Sequence, residues 1–304
     1  MDNLIISTTN LTKKYKKNTS VDGIDLRMNR GEIYGFLGPN GAGKTTTIRM
    51  LLGLIKPSRG SIDIFGQSLK RNRINILQRV GSLVESPSYY GNLTGYENLE
   101  TVRRLRGLPE KRVHEVLDIV RLTKVANRLA KEYSLGMKQR LGIAAALLSQ
   151  PDLLILDEPT NGLDPAGIQE IRELIKELPG RQGMSVLISS HLLSEIDQMA
   201  TQVGIINEGK LIFQDSIDTL RQKQKPLLKI GVNDIHEANS VLKNNGLAPQ
   251  MQNEALWISE TAPEFVSEIN SILVHSGVSV YRLEEVKRTL EDIFLDITGK
   301  GASL

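Results

Sequence analysis

One lysine and two adjacent carboxylates, each standing at the end of an apolar run, are the residues of this 304-residue chain best placed to do chemistry. Lys44 closes a loop containing Gly38, Asn40, Gly41 and Gly43, and is followed by Thr45 and Thr46. This is the P-loop spacing, in which glycines let backbone N–H groups turn inward around a β-phosphate. The lysine ammonium then reaches the β- and γ-phosphates, and the Thr45 hydroxyl is a ligand for Mg²⁺. Asp157 and Glu158 leave the apolar run Leu153, Leu154, Ile155, Leu156. Two carboxylates at the end of a buried strand are costly unless something cationic lies beside them. Asp157 is therefore expected in the Mg²⁺ shell, and Glu158 as the base that orients or deprotonates a water. Taken alone, these motifs point to a nucleoside triphosphate and to no particular machine.

The elements that must position these groups follow from the pattern around them. A buried strand is expected at 31–37, directly before the glycine loop, and a helix at 45–54 directly after it. Before residue 31 the chain reads as short β-branched strands broken by Asn, Asp and Gly turns. Further strands at 61–65, 80–84, 153–156, 185–189 and 203–207, several with helices between, give an α/β core on a largely parallel sheet. Between residues 93 and 148 the pattern is helical alone, opened by Thr94 and Glu97 at capping-box spacing. A helical insertion over about 86–150 is expected within a first domain of residues 1–222. Past Gln222 the order becomes βαββαβ, with strands near Met251 and at 255–259, a helix at 263–275 and a strand at 278–282. This predicts a small α+β, ferredoxin-like accessory domain over 223–304, joined by a linker at 222–226.

Composition narrows the classes. With 40% apolar and 24% charged residues the chain is an ordinary globular mixture, and a net charge of +3 permits nucleic-acid or lipid contact without arguing for it. Cysteine is absent, which removes disulfides and thiolate metal sites. The N-terminus lacks signal-peptide order, and no uninterrupted apolar run approaches the roughly 18 residues of a membrane span. His114, His236 and His275 lie apart without ligand spacing, so no zinc site is expected. Lys13, Lys14, Lys16 and Lys17, and Arg103, Arg104 and Arg106, read as solvated basic surface, and Trp257 as core of the tail domain.

The segment Tyr133, Ser134, Leu135, Gly136, Met137, Lys138, Gln139, Arg140, followed by a helix, resembles the signature of ABC ATPases. Asn161 to Asp164 is similar to their D-loop, Ser190 and His191 to their switch histidine, and Tyr15 stands where an aromatic A-loop residue stacks on adenine. The resemblance covers about residues 4–209. It implies an ATPase fold with a RecA-like core plus antiparallel β and helical subdomains, using ATP and Mg²⁺ and working as a head-to-tail pair of cassettes, most simply a homodimer. Each ATP would be held by one copy's P-loop and by Ser134 and Gly136 of the other. A serine and a backbone N–H at a helix N-terminus make an anion site that has no reason to face its own P-loop. Glu158 would activate water, His191 would contact the γ-phosphate, and Asp164 would align both across the interface. The resemblance also implies a separately encoded membrane-spanning permease as partner, and a cytoplasmic location at the inner face of the membrane, with no nucleic acid bound.

Two departures from the family pattern stand out. Glu85 occupies the position of the Q-loop glutamine that touches Mg²⁺ and signals to the permease, and a carboxylate offers only acceptors where an amide also donates. Tyr133, Leu135 and Met137 replace the usual signature Leu, Gly and Gln. Both resemble the bacitracin-resistance and lantibiotic-immunity branch, which implies export or expulsion of a peptide antibiotic. Residues 289–298 are similar to the closing helix of drug-resistance ATPases, and locally read as an amphipathic helix packing on the tail. The alternative, an ABC ATPase of DNA repair or translation, calls for a very long coiled-coil insertion or a second cassette in the chain; neither is present.

Overall fold

The computed structural model describes residues 3–222, 226–252, 254–259 and 262–286. The first part of the chain forms β1 (Leu4–Tyr15), β2 (Asn18–Ile24), β3 (Arg27–Asn29), β4 (Ile33–Leu37), α1 (Lys44–Leu51), β5 (Arg59–Ile64), β6 (Gln67–Ser68), α2 (Leu69–Leu77) and β7 (Val80–Leu83). A helical stretch follows, with α3 (Gly95–Leu105), α4 (Lys111–Ile119) and α5 (Leu135–Leu147). Alternation resumes in β8 (Leu153–Asp157), α6 (Pro165–Gln182), β9 (Ser185–Ser190), α7 (Leu193–Asp197), β10 (Gln202–Asn207) and β11 (Lys210–Ser216). After α8 (Ile217–Gln222) come β12 (Leu227–Val232), α9 (Ile235–Asn244), β13 (Gln250–Gln252), β14 (Ala255–Ile258), α10 (Pro263–His275) and β15 (Val280–Val286). The chain divides into two compact units between Ile217 and Asp218.

In the first unit the sheet that matters for function has the order β11-β10-β4-β9-β8-β7. From β10 to β7 all neighbours are parallel, and β11 closes the edge antiparallel to β10. Every residue of β4, β8 and β9 is buried, as a parallel sheet covered on both faces demands, and this is why β4 and β8 read as largely apolar runs, while β9 carries serines at both ends of its Val186–Ile188 centre. The second sheet is antiparallel, β2-β1-β5-β6 with β3 also on β1. Here the expectation of short broken strands is corrected. β1 runs for twelve residues because register shifts against β2, β3 and β5 let one strand serve three partners. The irregularity is centred near Asn10, whose φ of 48° is left-handed and whose N–H donates to Asp25 Oδ1 at 2.6 Å.

The helical stretch is held by polar contacts as well as apolar ones. Thr94 and Glu97 form the expected capping box: the Glu97 N–H donates to Thr94 Oγ1 at 3.1 Å, and the Thr94 N–H to the Glu97 carboxylate at 2.7 Å. Those backbone and side-chain bonds to Thr94 hold the Glu97 carboxyl below its usual range. Arg112, 5% exposed, donates to the carbonyls of Leu147 and Leu148 and so ties α4 to the end of α5. Tyr133 is buried beneath Gly95, where a Cβ would lie 2.1 Å from its hydroxyl, and donates to Val125 O at 2.7 Å. The tyrosine of the divergent signature is thus packing, not chemistry, and burial pushes its phenol up.

The second unit has the strand order β13-β14-β12-β15, all antiparallel. Leu228, Ile230, Leu256, Ile269 and Leu273 form its separate core. Trp257 is only half-buried, with Lys229 Nζ 5.5 Å from its ring centre. The helix expected at 289–298 and the linker residues 223–225 lie outside the described residues.

Candidate active site

Three neighbouring strands deliver the chemistry to one place. Leu37 of β4 pairs with Ser190 of β9, and Ser189 of β9 pairs with Asp157 of β8, so the carboxyl ends of the three strands are level. Parallel α/β sheets bind ligands in the crevice beyond such ends.

The loop leaving β4 turns into α1 through Gly43, whose φ is 112°. A Cβ there would lie 2.5 Å from the carbonyl of Ser20, so backbone and neighbour together require glycine. Lys44, the first residue of α1, is 5% exposed. Its Nζ donates to Gly38 O at 2.7 Å and Pro39 O at 3.3 Å, and lies 3.1 Å from Glu158 Oε1. Thr46 Oγ1 meets Ser20 Oγ at 3.1 Å, and Thr47 Oγ1 donates to Gly43 O at 2.9 Å.

At the end of β8, Asp157 is 2% exposed and its Oδ1 accepts the Ser189 hydroxyl at 2.6 Å. That Ser189 oxygen in turn accepts the Glu158 N–H at 2.9 Å. Glu158 itself has φ 51°, a left-handed backbone that a non-glycine residue adopts only when its surroundings enforce it. The turn swings its carboxylate between two cations or donors, Lys44 on Oε1 and His191 Nδ1 on Oε2 at 2.6 Å. Since an ionised carboxylate only accepts, the His191 proton facing it sits on Nδ1 and leaves Nε2 for another partner. The cationic neighbour that the paired carboxylates called for is Lys44.

A cavity of about 380 Å³ is walled by Asn40, Gly41, Gly43, Lys44, Thr45 and Thr46 on one side and by Glu158 and His191 on the other, with Gly38 and the buried Asp157 behind its lining. Ser20 and Asn161 complete the wall. Asn161 opens the segment that resembles a D-loop, whereas neither Ser20 nor Ser189 stood out as a site residue in the sequence. Ser189 has a readable signal, a hydroxyl at the end of an apolar run beside His191, whereas Ser20 lies in an unremarkable strand and has none.

The other expected site residues do not line this cavity within one chain. Tyr15 ends β1, 45% exposed, with Lys13 Nζ 5.1 Å from its ring centre. Ser134 caps α5 by accepting the Met137 N–H at 3.2 Å, and Gly136 lies in the first turn, where a Cβ would stand 3.9 Å from Gly167. Asp164 caps α6, accepting the Gly167 N–H at 3.0 Å. Glu85, expected at the metal, pairs instead with Arg49 of α1 and is 61% exposed; a guanidinium within reach gives this exposed carboxylate its counter-ion.

Among the described residues no cluster of three or more His, Asp or Glu could cage a metal ion. Mg²⁺ does not need one, since it is commonly bound by one or two carboxylates together with substrate phosphates and water. A hydroxyl at Thr45 and a buried carboxylate at Asp157 fit that donor set. Among the described residues no helix is long and apolar enough to cross a membrane.

The ABC transporter family profile matches residues 21–161. Over 98% of both chains, the sequence is 45% identical to a bacitracin transport ATP-binding protein of Bacillus licheniformis. It is 43% identical to a lantibiotic transport ATP-binding protein of Streptococcus pyogenes over 70% of this chain and 92% of that one. A solved ATP-binding cassette, a dimer in a post-hydrolysis state with ADP and Pi, superimposes with TM-score 0.63 at 25% identity, covering 70% of this chain and 98% of its own.

Proposed function

The chain belongs to the ABC transporter family as an ATP-binding, ATP-hydrolysing subunit, and from that premise we propose that it powers a separate permease that expels a peptide antibiotic of the bacitracin or lantibiotic class. The carrying observation is the single cavity in which the Gly43–Lys44 turn faces a carboxylate shared between Lys44 and His191.

The residues act as follows. Backbone N–H groups from Asn40 to Thr46 and the α1 N-terminus grip the phosphates, with Lys44 on their terminal oxygens. Phosphate oxygens compete with Glu158 for the Lys44 ammonium, which frees Glu158 to accept a proton from water. His191 keeps that carboxylate oriented through Nδ1–H; donating from Nε2 to the γ-phosphate as well would require the doubly protonated ring, in which both nitrogens are donors. Thr45 and Asp157 would hold Mg²⁺, whose charge offsets that of the phosphates. Tyr15 would stack on adenine.

Ser134 and Gly136 at the head of α5 stand outside the chain's own cavity, which supports a site completed by a second copy, with Asp164 at the same seam. Such a pair would sit on the permease at the cytoplasmic face of the membrane. Residues 223–304 are proposed as an accessory domain separable from ATP binding, and Glu85 as a link to the permease.

The test is turnover and resistance together. Wild type with its permease should hydrolyse MgATP and raise the tolerated dose of bacitracin or a lantibiotic, and Lys44→Ala should abolish both. Hydrolysis that persists in Lys44→Ala would refute the site. Resistance that is unchanged when the active pair is expressed would refute the cargo while leaving the ATPase standing.

A further inference from the structure

Behind the cavity lies a carboxylate that the chemistry above does not use. Glu195, on α7, is 6% exposed, and its Oε2 accepts two hydroxyls, Thr160 Oγ1 at 2.6 Å and Ser190 Oγ at 2.9 Å. A buried carboxylate is costly, and such hydrogen bonds are what make it tolerable.

The two hydroxyls come from the two segments that hold the reacting side chains. Thr160 is two residues past Glu158, inside the turn that the Asn161 N–H closes on the Glu158 carbonyl at 3.1 Å. Ser190 immediately precedes His191, and its oxygen also accepts the Leu192 N–H at 3.0 Å. Both chain neighbours of His191 are thereby fixed, one directly and one through Ser190. The contact that matters, His191 Nδ1 to Glu158 Oε2 at 2.6 Å, joins side chains from these same two segments. Apolar packing could hold the segments near each other; one oxygen accepting both hydroxyls also fixes their angle.

We propose that Glu195 is a positioning residue for ATP hydrolysis: by holding Thr160 and Ser190 on one carboxylate oxygen it sets the His191–Glu158 contact. The proposal rests on the ATPase reading of the site. Its energetic signature is a loss in turnover without a loss in nucleotide affinity, because Lys44 and the glycine loop are not touched by the network.

The experiment is a double-mutant cycle on the full chain, read by single-turnover hydrolysis of MgATP, by KM, and by the ring ¹⁵N shifts of His191 with histidine-selective labelling. Glu195→Ala should lower kcat about tenfold, the scale of one charge-assisted hydrogen bond, with KM within about twofold of wild type. In a His191→Ala background the same change should cost no more than about twofold, because the contact it sets is already gone. Glu195→Gln, which keeps an acceptor oxygen, should recover most of the loss and the wild-type His191 shifts. Equal penalties in both backgrounds, a wild-type kcat, or a loss carried by KM would each overturn the proposal. If Glu195→Ala does not fold, Thr160→Val, which removes one hydroxyl at constant shape, is taken through the same two backgrounds with the same criteria. Should Glu158→Gln and His191→Ala both turn over like wild type, the parent reading falls and takes this one with it. Should they be slow while the Glu195 variants are not, the positioning role alone is lost.

Discussion

Replacing Glu158 by glutamine should move turnover and binding in opposite directions. The amide keeps the side chain's size but loses its charge, and one of its two ends becomes a donor that cannot accept from Lys44 or from His191 Nδ1. Present contacts are 3.1 Å to Lys44 Nζ and 2.6 Å to His191, with side chains only 5%, 20% and 33% exposed for Lys44, Glu158 and His191. Loss of a general base slows reaction by about 10²- to 10⁴-fold, or about 3–5 kcal/mol of barrier. Binding responds the other way, because the carboxylate that competes with phosphate for Lys44 is gone. A hydrogen bond to a charged group is worth about 1.5–3 kcal/mol, which caps the gain. Lys44 keeps its Gly38 and Pro39 carbonyl partners, so the low end applies, and ATP should bind about tenfold more tightly. Calorimetric titration with MgATP, beside phosphate release in a single turnover, measures both. Turnover within about threefold of wild type would remove Glu158 as the base. Tenfold weaker binding would show that Glu158 helps hold nucleotide and does not compete with it.

Gly43→Ala forces a Cβ to 2.5 Å from the Ser20 carbonyl at φ 112°, so thermal stability should fall by about 1–3 kcal/mol with loss of ATP binding; wild-type melting and affinity would refute the steric argument. Glu85→Gln breaks an ion pair whose side chains are 38% and 61% exposed, so stability should change by less than about 1 kcal/mol. The Mg²⁺ concentration for half-maximal turnover should also stay constant, and a severalfold shift would return Glu85 to the metal. Hydrogen bonds from Arg103 and then Arg104 hold the Glu100 carboxyl at about 2, down from an ordinary 4.5. A depressed folded-state value stabilises above the unfolded one and is lost as pH falls through it, so Glu100→Gln should flatten the decline in melting temperature between pH 4.5 and 2; parallel curves would refute the pairing.

What the sequence discloses is local. Gly43 before Lys44 is readable because only glycine tolerates that backbone, and the Thr94 box because its spacing fixes both bonds. The strands expected at 31–37, 153–156 and 185–189 are found at Ile33–Leu37, Leu153–Asp157 and Ser185–Ser190, and their apolar centres are readable because both faces are covered. The tail's βαββαβ order is readable from its central strand and two helices, although β13 and β15 are exposed along most of their length and show no alternation. Glu85 shows what the sequence leaves unread: its pairing with Arg49, thirty-six residues earlier, is announced by no local pattern.

Strand order is the larger feature that composition and period leave unread. Residues near 38–46, 157–158 and 190–191 meet only because β9, late in the chain, inserts between β4 and β8. The same order bears on the signature segment. The helical stretch leaves the sheet from β7, three strand positions from β4 in the order β4-β9-β8-β7, or about 14 Å at the usual strand spacing. Ser134 heads α5, whose first turn faces Gly162, Leu163 and Gly167, and it is not among the residues that line the cavity at Lys44. If, as proposed, the α5 terminus of another copy completes the site at Lys44, turnover should be cooperative in two chains and low in one; turnover strictly proportional to chain concentration would refute that pairing.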